Sequence, residues 1–271
     1  MLEIFSPLAT RIFGDVFQDF WRRKRRLPWK SVRDVSGRLD QVIRLAAGRG
    51  SQSTVLTYLV EAAPGLTLTQ LEKARTGALE PSIELVRQTC RLLGASYDYI
   101  WRGQGAPFAP QEEDYLPVCE YIALFRNEDL ESIWFVRGDT YPHPAFILLR
   151  YNEYRYRVLP HLFHVSAKNG NGGADALSDL ADLTCAYHAL DHKPIALGLE
   201  ANSLVVDLVM QGDQHATALF HRGSKRSYWW DDLADIEHKR PCAREYQRRY
   251  DQEFFNAQRL IAWSRQQRST P

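Results

Sequence analysis

The first hundred residues repeat apolar side chains at the three- and four-residue spacing of amphipathic helices. Leucine, valine, isoleucine and alanine recur in this way over residues 38–47, and the pattern returns in later segments. Hydroxyl residues precede several of these runs and glycine follows them, as expected of helix caps and helix ends. The pattern predicts five short helices between residues 38 and 105, with Ser36, Thr67 and Ser96 among the caps. In the fourth helix we expect four residues to be buried: Ile83, Val86, Cys90 and Leu93.

Beyond residue 115 the pattern changes to short β-branched and aromatic runs, which are typical of strands. Two longer segments, residues 174–190 and about 244–267, return to helical spacing, and the glycine-rich residues 168–175 indicate a flexible connection. The chain is therefore expected to be α+β, with an all-α five-helix domain followed by a mixed α/β domain. The predicted strands are SIWFVRG (132–138), AFILLRYN (145–152), YRVLPHLFHV (156–165), LVVDLVM (204–210) and HATALFHR (215–222).

Glycine, proline and acidic residues cluster between residues 103 and 114, where the periodic pattern stops. This break is typical of a domain boundary. We expect a basic amino-terminal arm over 1–37, a helical domain over 38–105, a linker over 106–114, and a second domain over 115–271.

The chain has 271 residues, of which 45% are hydrophobic and 25% charged, as in globular proteins. Its net charge of +1 conceals an uneven distribution. Residues 1–111 hold 16 basic and 10 acidic residues, whereas residues 112–271 hold 18 and 23. A basic first half favours a polyanionic partner. No apolar run is long enough to span a bilayer and the amino terminus is a poor secretory signal, so we expect a cytoplasmic protein.

The segment GLTLTQLEKARTG, residues 65–77, has the features that a DNA-reading helix needs. Gly65 supplies a tight turn, Thr67 supplies a cap, and Leu66 and Leu71 are placed to face the core. In a helix-turn-helix, such a helix lays its first residues against base edges in the major groove. The outward-facing positions are Leu68, Thr69, Glu72 and Lys73.

This segment resembles the turn and recognition helix of the phage-repressor family (lambda and 434 repressors, XRE type). SQSTVLTYL before it is similar to the family's preceding helix, and EPSIELVRQTCRLLGASYDYIWRGQG after it is similar to the family's ending. The stretch before the turn is longer than in the family. The resemblance covers about residues 38–105 and implies a helix-turn-helix fold that binds double-stranded DNA. It implies phosphate or base contacts by ten residues: Ser51, Gln52, Ser53, Thr67, Leu68, Thr69, Gln70, Glu72, Lys73 and Arg75.

All the charged residues of WRRKRRLPWKSVR, residues 21–33, are basic. In front of a DNA-binding domain, such an arm would neutralise phosphates or enter the minor groove. The alternative is a solvated helix face whose apolar side packs on the domain. The basic residues in question are Arg22, Arg23, Lys24, Arg25, Arg26 and Lys30.

The second half offers weaker indications of chemistry. Cys185, His188 and His192 share one helical face, but the glutamate of a zinc-protease helix motif is missing, so a buried stripe is favoured over a metal site. Ser166 and Lys168 are too close in sequence for the serine and lysine dyad of self-cleaving repressors. The aromatic and acidic segment RSYWWDDLADIEH, residues 226–238, is either core or a partner surface, and burial is favoured. We expect no catalytic residue, metal or cofactor.

These features favour a sequence-specific transcriptional regulator that acts as a homodimer, since one short recognition helix contacts few bases. The second domain would bind a small-molecule or protein effector, or hold the dimer together. Two alternatives stay open. The first is an enzyme with its active site in residues 115–271, tethered to DNA. The second is an antitoxin-like module that binds another protein.

Overall fold

The computed structural model describes residues 35–108, 117–159, 163–166, 171–237 and 248–269. Residues 34–271 form one compact unit of mixed α/β architecture, with helices dominating its first part and all the described strands in its second part. The basic arm predicted at residues 22–30 lies outside the described residues. The described helices are α1 (Val35–Ala47), α2 (Gln52–Ala62), α3 (Leu68–Arg75), α4 (Ile83–Leu93), α5 (Tyr97–Arg102), α6 (Val118–Phe125), α7 (Asn171–His188), α8 (Ser203–Met210), α9 (Trp229–Ala234) and α10 (Gln252–Ser269).

Helices α1 to α5 pack around a core of their own. We call these five helices the helical cluster. The five helices predicted between residues 38 and 105 are therefore confirmed. The hydroxyls of Ser51, Thr67, Ser82 and Ser96 accept backbone N–H groups at the starts of α2 to α5. Ser36 does not cap α1, because the helix already begins at Val35.

The prediction that Ile83 is buried is wrong, since 47% of its surface is exposed. The buried stripe of α4 runs through Leu85, Val86 and Thr89. At 100° per residue, Ile83 lies about 120° from the middle of that stripe.

Six strands form one mixed sheet in the order β3-β2-β1-β5-β6, with β4 pairing to β2. Strands β1 and β5 are parallel, and the other pairs are antiparallel. One sheet face packs against α6, α7, α9 and α10, and the other against α8 and a 3₁₀ helix at Ala216–Leu219. The strands are β1 (Ser132–Gly138), β2 (Pro144–Arg150), β3 (Tyr156–Val158), β4 (Phe163–His164), β5 (Ile195–Ala201) and β6 (Lys225–Arg226).

Three sequence predictions for this region are wrong. LVVDLVM forms α8, which Asn202 caps by accepting the Leu204 N–H, and HATALFHR contains the 3₁₀ helix. A short apolar run fits a buried strand and a helix equally well, so periodicity alone could not separate them. Helix α7 begins at Asn171, inside the predicted connection, because glycine weakens a helix without forbidding it. Strand β5 was not predicted.

The helical cluster rests on the sheet region through packing and hydrogen bonds. Tyr154, which precedes β3, is buried in the core of the helical cluster. The Tyr58 hydroxyl of α2 donates to the Asn152 side-chain oxygen at 3.0 Å, and the Thr217 hydroxyl donates to the Ala46 carbonyl at 3.1 Å. The helices and the sheet are thus held together by direct contacts, and a boundary at residues 106–114 stays a prediction.

Candidate nucleic-acid interface

Helices α2 and α3 are joined by five residues that turn the chain sharply. Gly65 adopts a φ of 83°, a left-handed conformation that favours glycine. The Leu66 N–H donates to the Ala63 carbonyl at 3.1 Å and closes the turn. Leu71 and Ala74 on α3 are completely buried and fix the helix against the cluster. One side of α3 is therefore anchored, and the opposite side faces outward.

Two of the residues predicted to contact DNA form the amino-terminal cap of α3. The Thr67 hydroxyl accepts the Gln70 N–H at 3.2 Å, and the Gln70 side-chain oxygen accepts the Thr67 N–H at 3.1 Å. This reciprocal pair is a capping box, which satisfies two backbone donors at once. The bonds give both side chains a structural role at the point where α3 begins.

Arg75 connects three helices. Its Nε donates to Glu72 at 2.8 Å, and its Nη1 donates to Asp40 on α1 at 2.8 Å and to Gln52 on α2 at 3.3 Å. Asp40 also pairs with Arg44 at 2.8 Å. The structure thus brings together three of the predicted DNA contacts, since Gln52 and Glu72 both accept hydrogen bonds from Arg75. Asp40 was missed because its partner lies 35 residues away in sequence.

Leu68, Thr69 and Lys73 form the outward side of α3. About half of Leu68 is exposed, at 49%, and the other two side chains are exposed without a side-chain partner in the described part of the chain. Thr69 and Lys73 are four residues apart and so lie on one face, opposite Leu71 and Ala74. A hydroxyl and an ammonium are therefore presented to solvent on one face, and the exposed Leu68 lies about 100° around the helix from Thr69.

The start of α2 lies in the same helix pair. Ser51 caps this helix by accepting the Ser53 N–H at 3.2 Å, and the two hydroxyls lie 2.6 Å apart. Both residues are exposed. The first backbone N–H groups of a helix and its dipole favour negatively charged groups such as phosphate.

Most of the net positive charge of the first half lies before the helical cluster. Residues 35–105 contain eight Lys and Arg residues and six Asp and Glu residues, whereas residues 1–34 contain eight and four. The helical cluster by itself is only mildly basic. Any strong attraction to a polyanion would depend on the predicted arm.

The structure also describes most of the candidate residues that the sequence offers in the second half of the chain. His188 donates its Nε2–H to the Asp231 carboxylate at 2.7 Å and stacks on the Trp230 ring. Cys185, His188 and His192 are all exposed, so the predicted buried stripe is wrong. Ser166 is buried, and Lys168 lies outside the described residues. Trp229 and Trp230 are buried, as predicted for the aromatic segment, while 62% of Tyr228 is exposed.

A cleft of about 870 Å³ lies where α4 and α5 meet β3. Pockets of this size are typical of small-molecule sites. Aromatic and basic residues line much of it, including Tyr97, Phe108, Arg155 and Tyr156, and burial raises the pKa of Tyr156 to about 12. A molecule held there would touch the helical cluster and the sheet at once.

No protein-family model, curated protein or solved structure matches the chain. Across the part of the chain that the structure covers, we find no helix both long enough and apolar enough to cross a membrane.

Proposed function

We propose that the protein is a sequence-specific DNA-binding transcriptional regulator in which α3 is the recognition helix. The observation that supports this proposal is the outward side of α3, where Leu68, Thr69 and Lys73 stand together on a helix that is capped, buried underneath and braced against its neighbours. A rigid helix with a free polar face is what major-groove readout requires.

Each of the three outward side chains has a matching base feature. Leu68 would contact a thymine methyl group, the Thr69 hydroxyl would bond base edges, and the Lys73 ammonium would donate to guanine. Ser51 and Ser53 would hold phosphates at the start of α2.

Arg75, Glu72 and Gln52 act differently in this proposal from the roles implied by the resemblance. Arg75 bonds Asp40 on α1 and Gln52 on α2 as well as Glu72, and we expect these bonds to orient α3 and set the angle at which it enters the groove. Loss of Arg75 would then weaken binding to all sequences, without changing which bases are preferred.

We expect two copies to bind together, because one helix of eight residues contacts only a few base pairs. The second half of the chain would supply the dimer contact and respond to an effector in the cleft. The sensor role fails if compounds that raise the melting temperature of the full chain leave its DNA affinity unchanged.

Selection of bound sequences from random duplex DNA tests the proposal with the full chain. We expect a consensus with two related half-sites whose centres are about 10 base pairs, or a multiple, apart. Lys73→Ala should relax the preference at a guanine position and reduce affinity for the selected site by about tenfold. Lys225→Ala is the matched control, because Lys225 is an exposed lysine on β6, and it should retain the consensus. An unchanged consensus for Lys73→Ala would remove the assigned role, and a single unrepeated site would remove the dimer.

A further inference from the structure

A buried arginine stands at the carboxyl end of β1. Only 4% of Arg137 is exposed, although the four strand residues before it, 133–136, are all apolar. Its Nε atom is completely buried without an acceptor, and across the described residues no acceptor bonds any part of its guanidinium. Its close contacts are the rings of Tyr250 and Phe254, whose centroids lie 5.9 and 5.6 Å from the guanidinium carbon.

The acids near Arg137 do not form ion pairs with it. Asp251 uses one carboxylate oxygen to bind His143 Nε2 at 3.0 Å and the other to accept the Phe254 N–H at 3.1 Å. Glu200 on the parallel strand β5 is directly beside Arg137 in register, yet no ion pair joins the two. Burial lowers the pKa of Arg137, and these two carboxylates oppose that change.

Among the residues that the structure describes, this arrangement leaves the edge of the guanidinium without a hydrogen-bond acceptor. Arginine carries five N–H donors in one plane, and burying them unpaired is costly. The rings of Tyr250 and Phe254 attract the cation through their faces, but an aromatic ring does not replace an oxygen acceptor for each N–H. A planar, buried donor group of this kind is suited to bidentate binding of an oxyanion.

The position in the fold also indicates a ligand site. Ligands of open α/β sheets bind outside the carboxyl ends of the strands, and β1 and β5 are the parallel pair whose carboxyl ends meet here. Asp251, whose charge acts on Arg137, has a side chain that is 51% exposed, so one neighbour of the guanidinium reaches the surface.

The loop after β1 is fixed over this position. Gly138 leaves no room for a side chain, which would collide with Ser203 and Pro144. His143 adopts a φ of 53°, which is rare for a residue other than glycine, and its ring bridges the Gly138 carbonyl at 3.0 Å and Asp251. Strained backbone that is held by such contacts is often found at ligand sites.

We propose that Arg137 is the anion-binding group of a small-molecule site at the carboxyl ends of β1 and β5, and that this site takes a ligand carrying a carboxylate or phosphate group. Glu200 lies beside the bound anion and accepts a hydroxyl or amino donor of the same ligand. This site does not depend on whether the protein binds DNA.

Thermal unfolding of the full chain in sodium phosphate and in sodium acetate tests the proposal, with sodium chloride at equal ionic strength as the reference. One or both oxyanions should raise the melting temperature of the wild type in a saturable way. If only phosphate raises the melting temperature, the ligand carries a phosphoryl group. If only acetate does so, the ligand carries a carboxylate. No saturable response to either overturns the proposal.

Three variants locate the effect. Arg137→Met keeps the length of the side chain and removes the cation, so the oxyanion affinity should fall at least about tenfold. Arg222→Met, which removes an exposed arginine, should respond as the wild type does. Glu200→Gln removes a nearby negative charge and should strengthen binding. An equal response in Arg137→Met and the wild type means that an adventitious surface ion is being measured, and overturns the proposal.

A measurement on the wild type keeps the test valid if Arg137→Met fails to fold. In ¹⁵N-labelled protein, the Nε–H resonance of Arg137, assigned by its loss in Arg137→Lys, should shift during the oxyanion titration with the same midpoint as the thermal response. A resonance that does not move while the protein is saturated contradicts the site.

Discussion

Mild acid should weaken the attachment of the helical cluster to the sheet through one histidine. His215 is buried between the two, with 2% of its surface exposed. Its Nε2 lies 3.0 Å from the Tyr154 carbonyl, and its Nδ1 accepts the Thr217 N–H at 3.3 Å. Because Nδ1 is an acceptor, the neutral ring fits this position. A second proton would bind at Nδ1 and break the hydrogen bond from the Thr217 N–H.

The size of the effect follows from the pKa of His215. Burial lowers this pKa from its ordinary 6.5 to about 4, against the opposing hydrogen bonds to the Tyr154 and Leu93 carbonyls. In the unfolded chain the ring takes up its proton near 6.5, so between these values the unfolded state binds more protons and acid favours unfolding. A tenfold difference in proton affinity is worth about 1.4 kcal/mol, so His215 should cost about 2 kcal/mol of stability at pH 5 and about 3 kcal/mol below pH 4.

Urea unfolding of the wild type and of His215→Gln between pH 7.5 and 5 measures this contribution. Glutamine also has a donor and an acceptor but does not titrate in this range, so its stability should fall by about 2 kcal/mol less than that of the wild type over the same interval. His192→Gln, which changes an exposed histidine, is the matched control and should follow the wild type. If the wild type and His215→Gln lose the same stability, the histidine does not carry the pH dependence.

Two further predictions concern the helical cluster. Leu71→Ala, which removes a completely buried side chain under α3, should lower the free energy of unfolding by about 2–5 kcal/mol in urea titrations. Leu68→Ala on the same helix, at a half-exposed position, should change it by no more than about 0.5 kcal/mol, and equal losses would contradict the orientation of α3. Burial raises the pKa of the Cys90 thiol to about 12, so iodoacetamide at pH 8 should modify the exposed Cys119 and Cys185 well before Cys90 when the sites are mapped by mass spectrometry. Alkylation of Cys90 at the same rate would show that the thiol is accessible and ionised.

The helical cluster was predictable from sequence because its signals are local. A cap such as Thr67 and a turn glycine such as Gly65 lie within a few residues of the helix end that they determine, and Leu71 follows from helical spacing. The Arg75 network was not predictable in the same way. It depends on how α1, α2 and α3 pack, which no local pattern specifies.

The second half was harder to predict because several of its elements, such as β1, β2 and α8, are short apolar runs. Strands β1 and β2 followed from their β-branched and aromatic composition. The apolar run of α8 is also rich in β-branched residues, yet it forms a helix that Asn202 caps. The signal for the Arg137 site was present in SIWFVRG, since an arginine in a buried strand is rare. Its unpaired state depends on Tyr250 and Asp251, more than 110 residues further along the chain.

The central claim is that the outward side of α3 reads DNA sequence, and its most direct test is the ratio of affinities for a selected site and a scrambled duplex at one fixed salt concentration. For the full-length wild type we expect a ratio of about 10³ or more. Thr69→Ala combined with Lys73→Ala should lose most of that ratio while retaining the wild-type melting temperature. Equal affinity of the wild type for both duplexes would contradict the claim, as would a doubly substituted protein that discriminates as well as the wild type.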